Sequence, residues 1–293
     1  MKTRNKISPA ALLIGLLLVL AGVVLLLVRL LRPEPVDPHA GQVYINDGFG
    51  MVWMTPLEGV PVNDLKQEDF LQINGEPVYR GEDYTVLKGI DVSEHQHEVD
   101  WTLASETLDF AMIRLGYRGY TEGGLFVDPF FEQNLTRAHR AGLDVGIYFF
   151  SQAVNMQEAM EEAEFVLEHL NGAQLELPIV FDWEKIDEAG VRTSGLPQET
   201  LNDCAVAFCE TIRRAGYRPC VYFNRYLGYY GFDLSRLTDY EFWVAVPGDY
   251  PDFYYGFQYW QYSFDSQVPG VEGPTDLNLL FIPVPKAEGE ESS

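Results

Sequence analysis

Strand-like and helix-like runs alternate from Lys88 to about residue 282. That alternation predicts an α/β protein, a TIM-like β/α barrel, preceded by an N-terminal transmembrane helix and a short β-rich segment. Three observations carry the prediction. The alternation favours a parallel sheet whose strands are joined by helical crossovers. No Gly-rich phosphate loop follows the first strand, which favours a closed barrel over an open sheet. A long apolar run stands apart near the N-terminus.

Residues 1–32 read as a cytoplasmic stub and a signal anchor. Ala11 to Val28 is uninterrupted and apolar, and Ile7, Leu30 and Leu31 extend it to the roughly 20 residues that span a bilayer; residues 10–31 are the expected span. Lys2, Arg4 and Lys6 would hold the N-terminus in the cytoplasm, an asymmetry that Arg29 and Arg32 weaken. The run exits through Arg-Leu-Leu-Arg-Pro, which offers no small-x-small cleavage site, so the anchor is expected to stay uncleaved. Cleavage would instead release a secreted form.

Residues 33–87 open with the stiff, extended tether Pro33-Glu-Pro-Val-Asp-Pro38. A β-rich segment follows, with Asn74-Gly75 as a hairpin turn, and the sequence assigns it no function. It is either a small β subdomain or a spacer packed on the main body. Residues 88–282 form the barrel. Strand-like runs are Phe110–Leu115, Val145–Phe150, Leu177–Trp183, Pro219–Phe223, Phe242–Val246 and Gly256–Tyr262. Helical periodicity covers Phe130–Ala141, Met156–Leu170 and Gln198–Ala215. Asn155 is placed to cap the second helix, and Gly142 and Gly172 to end the first two. Residues 283–293 are an acidic tail.

Composition narrows the function. A hydrophobic content of 47% supports a real core, and the net charge is −24. The first 32 residues hold five bases and no acid, leaving 15 bases against 44 acids beyond them. A body that acidic repels phosphate, which argues against nucleic acid as a partner. Cys204, Cys209 and Cys220 fit no metal-ligand pattern and read as buried core residues, with a Cys209–Cys220 bridge left open. His95 and His97 lie near Asp91 and Asp100, but loop histidines beside carboxylates are usually solvated, so neither metal nor cofactor is expected.

The chemistry concentrates at strand ends. Leu177-Pro-Ile-Val-Phe-Asp-Trp-Glu184 reads as a buried strand ending in two acids on one face. Repulsion between Asp182 and Glu184 raises the proton affinity of one of them, so one can donate a proton while the other stays ionised. Asp91 and Ser93 share a face in Gly89-Ile-Asp-Val-Ser, and Asp276 and Asn278 share one beside a short final strand. In a barrel these ends lie together, on the face that carries the chemistry.

These motifs, in this order, resemble the glycoside hydrolase family 25 muramidases, the Chalaropsis-type lysozymes. The resemblance covers roughly residues 88–282. It rests on Gly89-Ile-Asp-Val-Ser, Phe110-Ala-Met-Ile-Arg114, Gly146-Ile-Tyr-Phe-Phe150, Val180-Phe-Asp-Trp-Glu184, Val221-Tyr-Phe-Asn224, Trp243-Val-Ala245, Trp260-Gln-Tyr-Ser263 and Asp276-Leu-Asn278. It implies an irregular β/α barrel and hydrolysis of the β-1,4 bond between N-acetylmuramic acid and N-acetylglucosamine in peptidoglycan, outside the cell membrane. It also implies that Glu184 is the general acid, and that Asp182 attacks C1 or steadies an intermediate formed by the substrate's acetamido group. Asp91 and Asp276 match two further acids of the cleft.

Flat apolar faces for sugar rings are expected from Tyr148, Tyr222, Trp243, Trp260 and Tyr262, with barrel core as the competing role of each. Arg114, Asn224 and Asn278 are the polar candidates for substrate binding. Many relatives carry a histidine after the tyrosine of the third strand motif; Phe149 stands there in this chain and is expected to alter the pocket wall. The rival readings are a non-catalytic glycan-binding scaffold on the same barrel and another glycosidase specificity.

Overall fold

The computed structural model describes residues 8–31 and 37–285 of the 293. Lys2, Arg4, Lys6, Arg32, most of the proline-rich tether and the acidic tail from residue 286 lie outside the described residues. The chain divides into two compact units, Met1–Gln42 and Val43–Ser293.

In the first unit, α1 (Pro9–Leu30) begins where Ser8 accepts a hydrogen bond from the Ala11 amide, with Pro9 occupying the first turn. An 18-residue stretch of it has a mean hydropathy of 3.2, and all 22 residues of the helix are exposed. At 1.5 Å per residue the helix is about 33 Å long, so its length and composition suffice to cross a membrane.

The second unit is built on a closed barrel of eight strands: β5 (Tyr84–Val92), β6 (Phe110–Arg118), β8 (Asp144–Ser151), β9 (Ile179–Trp183), β10 (Pro219–Asn224), β11 (Glu241–Ala245), β12 (Tyr259–Ser266) and β13 (Thr275–Pro283). Neighbours from β5 to β12 run parallel. The last strand, β13, closes the ring antiparallel to both β12 and β5. A short β7 (Leu125–Val127) pairs with the end of β6 outside the ring. The helices are uneven: α2 (Trp101–Ala104), α3 (Phe131–Ala141), α4 (Met156–Leu170) and α5 (Gln198–Arg214) all precede β10, and only short turns and loops join the later strands. The predicted runs fall on these elements, with two corrections. The strand read at Gly256–Tyr262 is shifted toward the C-terminus as β12. The short final strand is nine residues long, because pairing with β5 extends it.

Side-chain alternation sorts the strands into two apolar cores. Outward residues such as Ile113, Phe149, Phe181, Phe223 and Trp260 pack beneath the helices and outer loops. Inward residues such as Phe110, Met112, Val180, Cys220 and Tyr259 fill the lumen. Two glycines make room inside. A Cβ on Gly89 would lie 2.5 Å from the Phe110 ring, and one on Gly146 would lie 2.5 Å from the Met112 sulfur. All three cysteines are buried and unbridged.

Residues 43–83 pack on the barrel as two hairpins, β1 (Val43–Asn46) with β2 (Met51–Met54) and β3 (Phe70–Ile73) with β4 (Glu76–Tyr79). Asn74 and Gly75 take the positive φ that the Asn-Gly turn predicts. Phe70 seats against Trp260 and Phe281, and the Asn63 side-chain amide donates to the Pro251 and Phe253 carbonyls.

Candidate active site

Parallel strands place their C-terminal ends on one face, and β13, running the other way, brings its N-terminal end there. Asp91 on β5 lies directly opposite Asp276 on β13, and Asp182 on β9 is level with Tyr222 on β10. Glu184 follows one residue past the end of β9. The four acids line a single cleft of about 680 Å³, together with Tyr148, Tyr222, Trp243 and Arg114.

A buried polar network fixes the floor. Gln261 donates from Nε2 to Asp91 Oδ2 at 2.8 Å and to Asp276 Oδ2 at 3.0 Å, and its Oε1 accepts from the Tyr222 hydroxyl at 2.8 Å. Asn278 donates to Asp91 Oδ2 at 2.8 Å and accepts from Trp243 Nε1 at 2.8 Å. Asp91 is thus held from two sides. Asp182 is not: its Oδ1 is buried and has no hydrogen-bond partner among the described residues. A buried unpartnered carboxylate oxygen costs free energy, and such groups persist where a ligand or reaction uses them.

The cleft raises the proton affinity of Asp91, Asp182, Glu184 and Asp276. Burial pushes Asp91 up to about 6, helped by Glu184 and opposed by the hydrogen bonds from Asn278 and Gln261. Burial, then Asp91 and Glu184, push Asp276 up to about 8. Asp182 is driven well above the usual carboxylate range by burial, Glu184 and Asp91, with Arg114 pulling the other way. Burial alone raises Glu184. The cluster therefore keeps protons at neutral pH that isolated carboxylates would have lost.

The expected sugar-binding residues divide. Tyr148, Tyr222 and Trp243 form one aromatic wall, with Trp243 edge-on to Tyr222 at 4.9 Å and to Tyr148 at 6.2 Å. Arg114 reaches the cleft while paired with Asp128 at 2.8 Å and Glu94 at 3.0 Å. Asn224 lines an adjoining cavity, and its Oδ1 accepts from the Leu227 amide. Asn278 is fully buried beneath the acids, where it positions Asp91.

Three expectations are corrected. Trp260 and Tyr262 have the outward parity of β12 and belong to the outer core, where Trp260 donates to the Val246 carbonyl. Phe149 also points outward, against Phe165, so it forms no part of the pocket wall; Phe150 does. Gln261, between the two misassigned aromatics, is the residue the sequence reading passed over. Strand alternation could have found it, but apolar aromatics on both sides of β12 hid which face was which. Arg118, also unflagged, lines the cleft from a buried pair with Glu162 at 2.7 Å.

The profile of "Glycosyl hydrolases family 25" matches residues 90–271, a span that includes Asp91, Asp182 and Glu184 and stops short of Asp276. An uncharacterized protein, YegX, of Escherichia coli O6:H1 is 28% identical over 219 residues, covering 70% of this chain and 73% of that protein. Lysozyme M1 of Streptomyces globisporus is 28% identical over 214 residues, covering 67% and 68%. In fold, the chain is similar to the modular autolysin LytC from Streptococcus pneumoniae, with a TM-score of 0.58 at 24% identity. That alignment covers 82% of this chain and 56% of LytC, so the chain spans little more than half of the larger protein.

Proposed function

Since the chain belongs to glycosyl hydrolase family 25, we propose that it is a peptidoglycan muramidase, cleaving the β-1,4 bond between N-acetylmuramic acid and N-acetylglucosamine. The observation that carries this reading is the convergence of four desolvated carboxylates on one aromatic-walled cleft. Glycoside hydrolysis needs a protonated acid at the leaving oxygen and an ionised carboxylate beside the anomeric carbon.

In this reading Glu184, less deeply buried than Asp182, donates the proton to the leaving glycosidic oxygen. Asp182 attacks C1, or steadies the intermediate formed as the substrate's acetamido group closes on C1; we favour the second route. The protons of such a cluster belong to the set rather than to single residues. Oxocarbenium-like charge developing next to Asp182 favours the arrangement with Asp182 ionised and Glu184 protonated. Asp91 and Asp276, tied together through Gln261, keep the site's proton affinity high. The barrel thus works as TIM-like barrels do, with chemistry at the C-terminal strand ends. No cofactor takes part.

Helix α1 supports a further part of the proposal: a single-pass anchor with the barrel on the outer side, acting on wall glycan near the membrane. The test of the activity is mass spectrometry of purified peptidoglycan incubated with the protein. New reducing-end muramic acid is the expected product. Its absence across several wall types and pH values, with glycan binding retained, would instead make the barrel a glycan-binding scaffold.

A further inference from the structure

Beside the catalytic cleft lies a second cavity of about 570 Å³, and Glu184, Tyr222 and Asp276 line both. Its far wall comes from the tip of the β1–β2 hairpin, Asp47, Gly48 and Phe49. These residues precede the span matched by the family profile, residues 90–271. Three aromatic rings of this cavity stay open to solvent: Phe49 is 84% exposed, Phe264 49% and Tyr226 47%. Phe49 stands edge-on to Tyr226 at 6.0 Å. A cluster of exposed rings on a groove is a costly surface to leave uncovered, and such patches mark binding sites.

The hairpin tip is held firmly in place. Asp47 Oδ1 accepts from the Phe49 and Gly50 amides at 2.9 and 3.0 Å, and Tyr230 donates its hydroxyl to Asp47 Oδ2 at 2.8 Å. Gly48 supplies the positive φ of the turn. Arg225, in the loop after β10, donates to the Asn46 carbonyl at 2.8 Å. Both Asp47 carboxylate oxygens are thus engaged in positioning the tip, and the side chain that it offers to the groove is the Phe49 ring.

We propose that the β1–β2 hairpin extends the catalytic groove by one glycan subsite, with Phe49 as the stacking platform for a pyranose ring of the polymer. This rests on the muramidase reading for its ligand. The occupant follows from continuity: a glycan strand lying across Glu184 and Asp276 runs on into the second cavity without leaving the groove. The apolar C–H face of a pyranose matches an exposed phenyl ring, and Tyr226 and Phe264 extend that apolar surface. A site of this kind favours long strands over short ones.

The experiment measures binding without turnover, in the full chain carrying Glu184→Gln. Affinities for a peptide-free glycan strand of eight sugars and for the corresponding tetrasaccharide are compared before and after adding Phe49→Ala. The expected result is a fall of about tenfold in the ratio of long-strand to short-strand affinity, equivalent to roughly 1.4 kcal/mol. Phe49→Trp should keep the ratio. Because the Phe49 side chain is exposed, its truncation leaves the core untouched. An unchanged ratio in Phe49→Ala would overturn the proposal. So would weaker binding to anionic phospholipid vesicles with the glycan ratio intact, which would make Phe49 a membrane contact. If the wild-type chain releases no reducing ends while the long-strand preference still depends on Phe49, the hydrolase reading fails and the subsite stands.

Discussion

The two faces of strand β9 carry opposite chemistries within five residues. Outward, Phe181 and Trp183 are buried in the outer core, with Phe181 5.3 Å from Phe208 on α5. Inward, Val180 helps close the lumen and Asp182 sits buried with an unpartnered oxygen. Both faces are dry, but dryness does different work on each. On the outer face it stabilises the fold through apolar burial. On the inner face it destabilises the fold, because four carboxylates lose water and face one another, and the same desolvation confers the proton affinity that the proposed chemistry requires. Stability and reactivity are separated by a single residue step along one strand.

Substitutions can break or sharpen that contrast. The largest effect is expected for Glu184→Gln and Asp182→Asn on the inner face. Release of reducing ends should fall by about 10²–10⁴-fold, while the unfolding midpoint does not drop. A variant that still turns over at the wild-type rate would remove that residue from the chemistry. On the outer face, Phe181→Ala should do the reverse. Urea denaturation should show a loss of roughly 3–5 kcal/mol, with turnover per folded molecule retained.

A pH experiment sharpens the inner face further. Asp276 keeps its proton up to about 8 in the folded chain but only to its ordinary 3.8 once unfolded. Its contribution to folding is complete below 3.8 and is lost as pH rises through about 8. Asp276→Asn should therefore match the wild-type melting temperature near pH 3.5 and exceed it near pH 8.5, at roughly those values. Equal melting curves at both pH values would mean that the cluster is not desolvated as described.

The smallest effect compares two tryptophans. Trp260→Phe removes an outer hydrogen bond to the Val246 carbonyl, costing about 1 kcal/mol of stability with kcat kept. Trp243→Phe frees the Asn278 oxygen and loosens the group that holds Asp91, so its cost should appear mainly in kcat and in the pH profile. If Trp260→Phe impairs catalysis as much as Trp243→Phe does, the parity assignment of β12 is wrong.

Much of this was legible beforehand. The helix at Met156–Leu170 falls where periodicity, the Asn155 cap and the Gly172 stop put it, and periodicity alone places the one at Gln198–Arg214 to within a residue. The cleft gathers Asp91, Asp182, Glu184, Asp276, Tyr148, Tyr222, Trp243 and Arg114, all singled out in advance. The misreadings share a cause. Around Gln261 both faces of the strand carry aromatics, so composition could not tell lumen from outer shell, and Phe149 was assigned to the wrong side of β8. The hairpin at residues 43–54 gave no hint of a role, because its importance lies in what its tip meets more than 170 residues away.

By itself, then, the sequence determined what is local: the two-residue alternation that segregates acids from apolar side chains, the order of strands and helices, and an N-terminal run apolar enough for a membrane. These follow from the geometry of a few successive residues and the water that each face avoids. Tertiary structure alone decided which distant residues meet. The antiparallel return of β13 sets Asp276 opposite Asp91, and Gln261 then bridges them. The pinned tip of the first hairpin sets Phe49 beside Glu184's groove. Such meetings depend on register and closure around a ring, where a slip of one residue in a strand would turn that strand's acid outward.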